Sequence, residues 1–142
     1  MGLLGGIARL LGESLRIKRG ESQTANMDAQ TRAMIDQTIA DAQAGNLNSM
    51  YELASWYYKG EYVGYDPQKA CEWWTAAAER GHVDSQYNLG LLYLGDTSSY
   101  YYDPSLAGYW LDKAASNGDQ EAYDLLCSKF RYSNFSNKWK LK

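Results

Sequence analysis

Two segments of the chain repeat one pattern: residues 66–81 read DPQKACEWWTAAAERG and residues 103–118 read DPSLAGYWLDKAASNG. Each begins with Asp-Pro, continues with alanines and a tryptophan at helical spacing, and ends with glycine. Aspartate caps a helix N-terminus, proline suits the first helical position, and glycine accepts the left-handed conformation that closes a helix. The pattern therefore predicts one helix, with its cap, its packing face and its end, present in two copies.

A second helix is predicted before each copy, because apolar residues there follow the spacing i, i+3, i+4, i+7 of one helix face. In the first unit these residues are Met50, Leu53, Ala54 and Tyr57. The two units align in one register, with Tyr51 opposite Tyr87 and, beyond one inserted loop residue, Trp73 opposite Trp110. A third start follows Gly118 and supplies half a unit.

A single helix pair cannot bury its own apolar face, so copies of it stack on one another. The predicted fold class is all-α: an α/α solenoid of about two and a half helical hairpins with an N-terminal capping helix over residues 26–44. We expect three parts, namely an amphipathic N-terminal segment at 1–24, a repeat domain at 25–130, and a basic-aromatic C-terminal tail at 131–142.

The repeat resembles a known family, the SEL-one-like repeat, a helical-hairpin repeat related to tetratricopeptide repeats. The first unit matches at Tyr57, Gly60, Val63, Asp66, Lys69, Ala70, Trp73, Ala77 and Gly81. The second unit matches at Tyr93, Gly95, Asp103, Ala107, Trp110, Lys113, Ala114, Ala115 and Gly118. The first unit departs at Tyr62, where the family usually has a second glycine. The resemblance spans residues 45–130 and implies a scaffold or adaptor.

Residues that carry chemistry are few. His82 is the sole histidine, Cys71 and Cys127 are the two cysteines, and the 17 acidic residues form no paired motif. A Cys/His zinc site lacks ligands, and a catalytic triad would depend on His82, which we expect in an exposed turn. We therefore expect no enzyme, no metal and no cofactor. Both cysteines are expected to be free thiols that behave as small buried residues.

The resemblance leaves one enzymatic alternative. Some cysteine-rich relatives in such families are linked to β-lactam binding or hydrolysis. The cysteine pairs within each repeat that mark that branch are missing here. The resemblance therefore favours recognition over catalysis.

A partner-binding surface is predicted on the first helices of the units. If the apolar stripe faces inward, the opposite positions point outward, and in stacked hairpins such positions usually line the concave face. Several are apolar, which favours a groove for a partner peptide or helix, with Trp56 as its anchor. The alternative is that they pack between units or beneath the N-terminal segment. The predicted site consists of Glu52, Trp56, Lys59, Asn88, Leu91, Leu92, Leu125 and Lys129.

The N-terminal segment has one approximate apolar stripe, formed by Leu3, Leu4, Ile7, Leu10, Leu11 and Leu15. It can lie on a membrane surface, dock on a partner, or enter the groove of its own chain or of a second copy. We favour a protein surface, including self-association through residues 1–19, over a membrane. Arg9 lies inside the apolar stretch rather than before it, unlike a secretory signal, so we expect a cytoplasmic protein.

The charge pattern is an acidic body with two basic ends, which argues against duplex nucleic acid as a partner. Residues 131–142 interleave aromatic and basic side chains, a composition that can bind single-stranded nucleic acid. A solvated tail, or a tail latched to the acidic body, is the favoured interpretation.

The predicted function is a non-enzymatic protein–protein interaction module, an adaptor or scaffold that binds a partner peptide or helix. One alternative is a bacterial immunity or chaperone-like protein for a secreted toxin, which rests on analogy with small proteins of such families. The other is a peripheral membrane protein anchored by residues 1–19.

Overall fold

A computed structural model describes residues 27–133 and 138–142. These residues form helices α1 (Ala29–Gln43), α2 (Leu47–Lys59), α3 (Pro67–Glu79), α4 (Val83–Leu94), α5 (Pro104–Ser116) and α6 (Gln120–Lys129), then strands β1 (Phe130–Ser133) and β2 (Lys138–Leu141). The described chain is mostly helical, as the repeat pattern predicts. It divides into two compact units, one ending at Arg80 and one beginning at Gly81.

The first unit is built from α1, α2 and α3, with α2 packed between the other two. Helix α1 takes the place of the predicted capping helix. The predicted cap at the Asp66-Pro67 pair is confirmed, since an oxygen of Asp66 accepts a hydrogen bond of 3.0 Å from the amide of Lys69. The core contains the predicted packing residues, buried together with one residue from α1: Ile35, Met50, Leu53, Ala54, Tyr57, Ala70, Trp73, Trp74 and Ala77.

The second unit repeats the same hairpin in α4 and α5 and adds α6 as a half unit. Asp103 caps α5 by accepting hydrogen bonds of 3.0 Å from the amides of Ser105 and Leu106. Trp110 is buried, as its alignment with Trp73 predicts. One buried cluster joins α5, α6 and the first strand: Ala107, Leu111, Ala114, Ala122, Leu126 and Phe130.

Glycine sets the helix ends and one close helix contact. Gly45, Gly81 and Gly118 follow α1, α3 and α5 with φ of 94°, 94° and 97°, values that residues with a Cβ rarely adopt. This confirms the left-handed end predicted at Gly81. Gly90 has a different role, because a Cβ at that position would lie 2.6 Å from Leu111 Cγ. Helices α4 and α5 therefore approach more closely than any larger residue at position 90 permits.

The C-terminal residues form an antiparallel hairpin that the sequence analysis did not predict. Phe130 pairs with Leu141 and Tyr132 pairs with Trp139. Strand β2 packs on α5, where the indole nitrogen of Trp139 donates a hydrogen bond of 2.9 Å to Asp112 Oδ1. Of the two arrangements left open for the tail, the described residues show the one that is attached to the helical body.

Candidate functional site

The predicted site residues of the first unit lie on α2. Glu52 and Lys59 are exposed, as the helical geometry predicts for positions opposite the buried stripe. Trp56 is only 9% exposed, and the ring of Tyr62 stands edge-on to it with 5.1 Å between the ring centroids. The tryptophan expected to anchor a partner is therefore covered in this conformation.

Tyr62 lies in an unusual backbone conformation. Its φ is 59°, and the amide of Val63 donates a hydrogen bond of 2.6 Å to the carbonyl oxygen of Glu61, which closes a three-residue turn around it. Non-glycine residues in this half of φ space carry a cost of roughly 1–3 kcal/mol. This explains why glycine is usual at the position in SEL-one-like repeats. This chain has a tyrosine there, and its ring covers Trp56.

The remaining predicted residues belong to the second unit. Leu91 on α4 is 42% exposed, whereas Asn88 and Leu92 are half-buried. Leu125 on α6 is also half-buried, because it packs against the core cluster of α5 and α6. Lys129 is exposed in the last turn of α6, where a cation complements the helix dipole. The prediction that residues of both units line one common groove stays a prediction.

His82 is the N-cap of α4, a role that the sequence analysis missed. Its Nδ1 accepts a hydrogen bond of 3.2 Å from the amide of Ser85 and lies 2.9 Å from the Ser85 hydroxyl oxygen. The side chain is half-buried, so the expectation of an exposed turn is wrong. Burial lowers the pKa of His82, and the nearby charge of Asp84 offsets part of that effect. The neutral ring is the form that can cap the helix, because Nδ1 must be unprotonated to accept.

Neither cysteine forms a disulfide, and the two differ in exposure. Cys71 is half-buried, whereas Cys127 is exposed, so the expectation that both behave as buried residues is wrong for Cys127. Within residues 27–133 and 138–142, no three or more His, Cys, Asp or Glu side chains are grouped closely enough to hold a metal ion. Over the same residues, no helix combines the length and the apolar character needed to cross a bilayer.

A second surface was missed because it depends on the hairpin. An open groove of about 550 Å³ is lined on α5 by Ser105, Leu106, Gly108, Tyr109 and Asp112, and on the hairpin by Tyr132, Lys138 and Trp139. We call this the α5–hairpin groove. A signal for it was available in the sequence. Residues 138–141 read KWKL, an alternation of polar and apolar residues that is typical of a half-buried strand.

The architecture defines a helical-hairpin repeat protein with a short C-terminal β-hairpin. The family model of the Sel1 repeat matches residues 47–82 and 83–119, together just over half of the chain. The chain therefore belongs to the Sel1 repeat family, which confirms the resemblance to SEL-one-like repeats. Sel1 repeats generally mediate protein–protein interactions and are generally not enzymatic.

Two bacterial proteins illustrate the similarity. The chain is 27% identical over 123 residues to the uncharacterized protein YibG of Escherichia coli strain K12, which covers 82% of this chain and 77% of the relative. It is also similar to the crystal structure of a Sel1 repeat protein from Oxalobacter formigenes, with a TM-score of 0.59 and 27% identity. That match covers 69% of this chain and 73% of the other.

Proposed function

We propose that the protein is a non-enzymatic adaptor that binds one protein partner, as a peptide or a helix, through the outward side of the first helices of its repeats. The proposed contact residues are Glu52, Trp56, Lys59, Asn88, Leu91, Leu92, Leu125 and Lys129. Membership of a family whose repeats generally mediate protein interactions supports the general function. The choice of surface rests on the properties of particular side chains.

Leu91 is the observation that carries the proposal. It is 42% exposed, while its neighbours Leu89 and Gly90 are buried. Helix α4 thus closes the core with one side and presents a large apolar side chain on the other. A partner that covers Leu91 would remove apolar area from water, which favours association by roughly 25 cal/mol per Å² of apolar area.

The proposed contact of a partner with Trp56 depends on Tyr62, whose ring lies against the indole. The backbone of Tyr62 carries a conformational cost, and its ring contact with Trp56 offsets part of it. A partner that displaces the Tyr62 ring would gain access to the indole beneath it. Trp56 is therefore proposed as a contact that becomes available when Tyr62 moves.

Affinity purification with variant baits tests the proposed surface. The full-length protein is used as bait, and co-purifying proteins are identified by mass spectrometry. Leu91→Asp should lose the specific partner, because a charged group would be buried at the interface. Met34→Asp is the matched control, since Met34 is 44% exposed on α1 and lies outside the proposed surface. A partner retained by the Leu91 variant, or lost equally from both, would overturn the proposal.

A separate proposal concerns residues 1–19, which are apolar and basic. This segment docks into the first-helix groove of a second copy, so that the chain self-associates. Residues 1–19 lie outside the described residues, so this proposal rests on the sequence pattern alone. Deleting them should lower the molar mass measured by light scattering and raise the binding of a hydrophobic dye. If both values stay unchanged, the segment has another role. Liposome flotation with and without the segment then tests the membrane-anchored alternative.

The immunity and chaperone-like alternatives differ from a general adaptor in the identity of the partner. The bait experiment distinguishes them, because either alternative requires a secreted toxin among the proteins that Leu91→Asp releases. No residue of the described chain favours one alternative over the other.

A further inference from the structure

The C-terminal hairpin follows α6 at the point where the repeat pattern predicts a loop and a second helix. In the first two units, such a loop leads to a helix that begins at an Asp-Pro pair and packs on the helix before it. Strand β1 instead begins at Phe130, the residue directly after α6. Strand β2 packs on α5 and ends beside α6, where the amide of Lys142 donates a hydrogen bond of 2.9 Å to the carbonyl oxygen of Lys129. The hairpin therefore contacts the two helices beside which the second helix of a third stacked unit would lie.

The inner face of the hairpin covers apolar surface on this side of the second unit. Phe130 is 1% exposed, and Trp139 packs against the cluster to which it belongs. Gly108 of α5 lies directly beneath the strands, because a Cβ at that position would stand 3.3 Å from a ring carbon of Phe130 and 3.4 Å from Trp139 Cβ. Leu106 and Tyr109, which line the same groove as Gly108, are already exposed. Removal of β2 would join these residues into one apolar patch, the α5 end face: Leu106, Gly108, Tyr109 and Phe130.

The outer face of the hairpin is charged. Side chains alternate between the two faces of a strand, so Arg131 and Lys140 point to the face opposite Phe130 and Trp139. Both are exposed, and the strand register places them directly opposite each other. Like charges in that arrangement weaken a strand pair, so they do not serve the stability of the hairpin itself. Basic side chains on a short ribbon instead keep another strand, or an identical hairpin, from pairing with it.

Strand β2 is the half of the hairpin that can detach. Its polar contacts with the helices are at the protein surface, where the indole of Trp139 donates to Asp112 Oδ1 and the ammonium of Lys142 donates to the carbonyl oxygen of Cys127, both at 2.9 Å. Exposed hydrogen bonds of this kind add little net stability, because water replaces them. Phe130 stays with α6 in either case, since its amide donates to the carbonyl oxygen of Leu126.

We propose that the C-terminal hairpin is a cap that keeps the α5 end face from binding a second copy of the chain. The apolar inner face covers Gly108 and Phe130, and the charged outer face is the property that the terminal unit of a repeat protein needs for solubility. When β2 detaches, the α5 end faces of two copies pack on each other in a symmetric contact. The inference uses neither the first-helix surface nor residues 1–19, so it goes beyond the proposed function and does not depend on it.

A second copy suits the bare face because the chain already buries its apolar surface by packing one repeat helix on another. Helices α4, α5 and α6 do so within the second unit, and Gly90 lets α4 and α5 approach closely. Gly108 lies at the centre of the α5 end face and would allow the same close approach between α5 and a helix of another copy. Large exposed apolar patches of this kind favour association.

Light scattering on a shortened chain tests the proposal. Residues 138–142 are removed from the full chain, and the molar mass is measured over a series of protein concentrations beside the unaltered protein. We expect the mass of the shortened chain to rise with concentration to at least about twice that of the unaltered protein. Binding of a hydrophobic dye should also rise at low concentration, where the end face is not yet covered. Any self-association through residues 1–19 is present in both samples, so it does not affect the comparison.

Two matched substitutions in the shortened chain locate the contact. Leu106→Asp places a carboxylate on the α5 end face, so it should prevent the increase in mass. Leu91→Asp is the control, because Leu91 is exposed to a similar extent, 42% against 40% for Leu106, but lies on α4. It should leave the increase intact when compared with the same substitution in the chain of normal length. An equal effect of the two substitutions would overturn the proposal.

A variant of normal length decides the matter if the shortened chain does not fold, which circular dichroism would reveal. Trp139→Ser removes the indole that bonds Asp112, so it should produce the same association at higher protein concentration. Lys140→Ala is its control, because Lys140 is exposed on the outer face of the hairpin, and it should keep the mass of the unaltered protein. The proposal fails if the Trp139 variant, or a folded shortened chain, keeps the unaltered mass over the whole concentration series.

Discussion

The ring of Tyr62 stands edge-on to the indole of Trp56, with 5.1 Å between the ring centroids, and the backbone of Tyr62 has a φ of 59°. The backbone conformation costs roughly 1–3 kcal/mol for a residue with a Cβ. The aromatic pair contributes about 0.5–1.5 kcal/mol beyond its buried area. The two effects are similar in size, which explains how a tyrosine persists where the backbone favours glycine.

Substitution of Tyr62 by glycine and by alanine separates these effects. Both variants lose the ring, but only alanine keeps a Cβ at positive φ, so Tyr62→Gly should be more stable than Tyr62→Ala by about 1 kcal/mol in urea unfolding. Both should increase quenching of tryptophan fluorescence by acrylamide, because Trp56 becomes exposed. Gly64→Ala is the control, since Gly64 has no positive φ and no heavy atom within 4 Å of an added Cβ. Equal stability of the two Tyr62 variants would contradict the backbone argument.

The paired tryptophans of the repeats should dominate stability. Trp73 and Trp110 are both buried, so Trp73→Ala and Trp110→Ala should each lower the free energy of unfolding by roughly 3–5 kcal/mol. Chemical denaturation followed by circular dichroism measures the loss. Tyr100→Ala, at an exposed position, should change little. An unchanged midpoint for either tryptophan variant would show that the packing face is assigned wrongly.

His82 should make stability depend on pH below neutrality. Burial lowers its pKa in the folded state from 6.5, so the unfolded chain binds a proton first. The stability contributed by the neutral ring is complete above pH 6.5 and is lost as the pH falls from there through the folded pKa. The urea midpoint should therefore decline over that window. Hydrogen bonds from the Thr31 and Ser98 amides lower the pKa values of Asp28 and Asp96, so the stability that these two carboxylates contribute is lost only at more acidic pH than the start of the His82 decline.

His82→Asn provides the control for this pH dependence. Asparagine is a good N-cap that does not titrate, so its variant should retain most of the stability at neutral pH. Its urea midpoint should stay level where that of the unaltered protein declines. A decline of equal size in both proteins would assign the effect to other groups.

The cysteines should react as two thiols, not as a disulfide, and at different rates. An intramolecular disulfide would lower the mass of the chain by two protons. A mass measurement without reductant should show no such loss. Cys127 is exposed and Cys71 is half-buried, so a thiol reagent should modify Cys127 first in the folded protein. Cys127→Ser should abolish the fast phase, and Cys71→Ser should leave it in place. Modification of both thiols at one rate would contradict the described difference in exposure.

The functional surfaces were predicted less completely than the fold. Helical spacing placed Glu52 and Lys59 outward, because that spacing depends only on the rotation per residue. The same spacing predicted that Trp56 is exposed. Trp56 is buried instead, and the ring of Tyr62, a loop residue six positions later, lies against its indole. Periodicity within one helix carries no information about what the following loop covers.

The sequence by itself determined the helical hairpins, because their signals are local. Asp66 caps the helix that begins at Pro67 by accepting from the amide three residues later, Gly81 ends that helix in a left-handed conformation, and apolar stripes repeat every turn. Only the tertiary structure decided the burial of His82 and the attachment of the C-terminal hairpin. The hydrogen bond from Trp139 to Asp112 joins residues 27 positions apart. The sequence around either residue contains no local signal that predicts this contact. Such contacts form where packing brings distant segments together, so the groove that they create appears only in the folded chain.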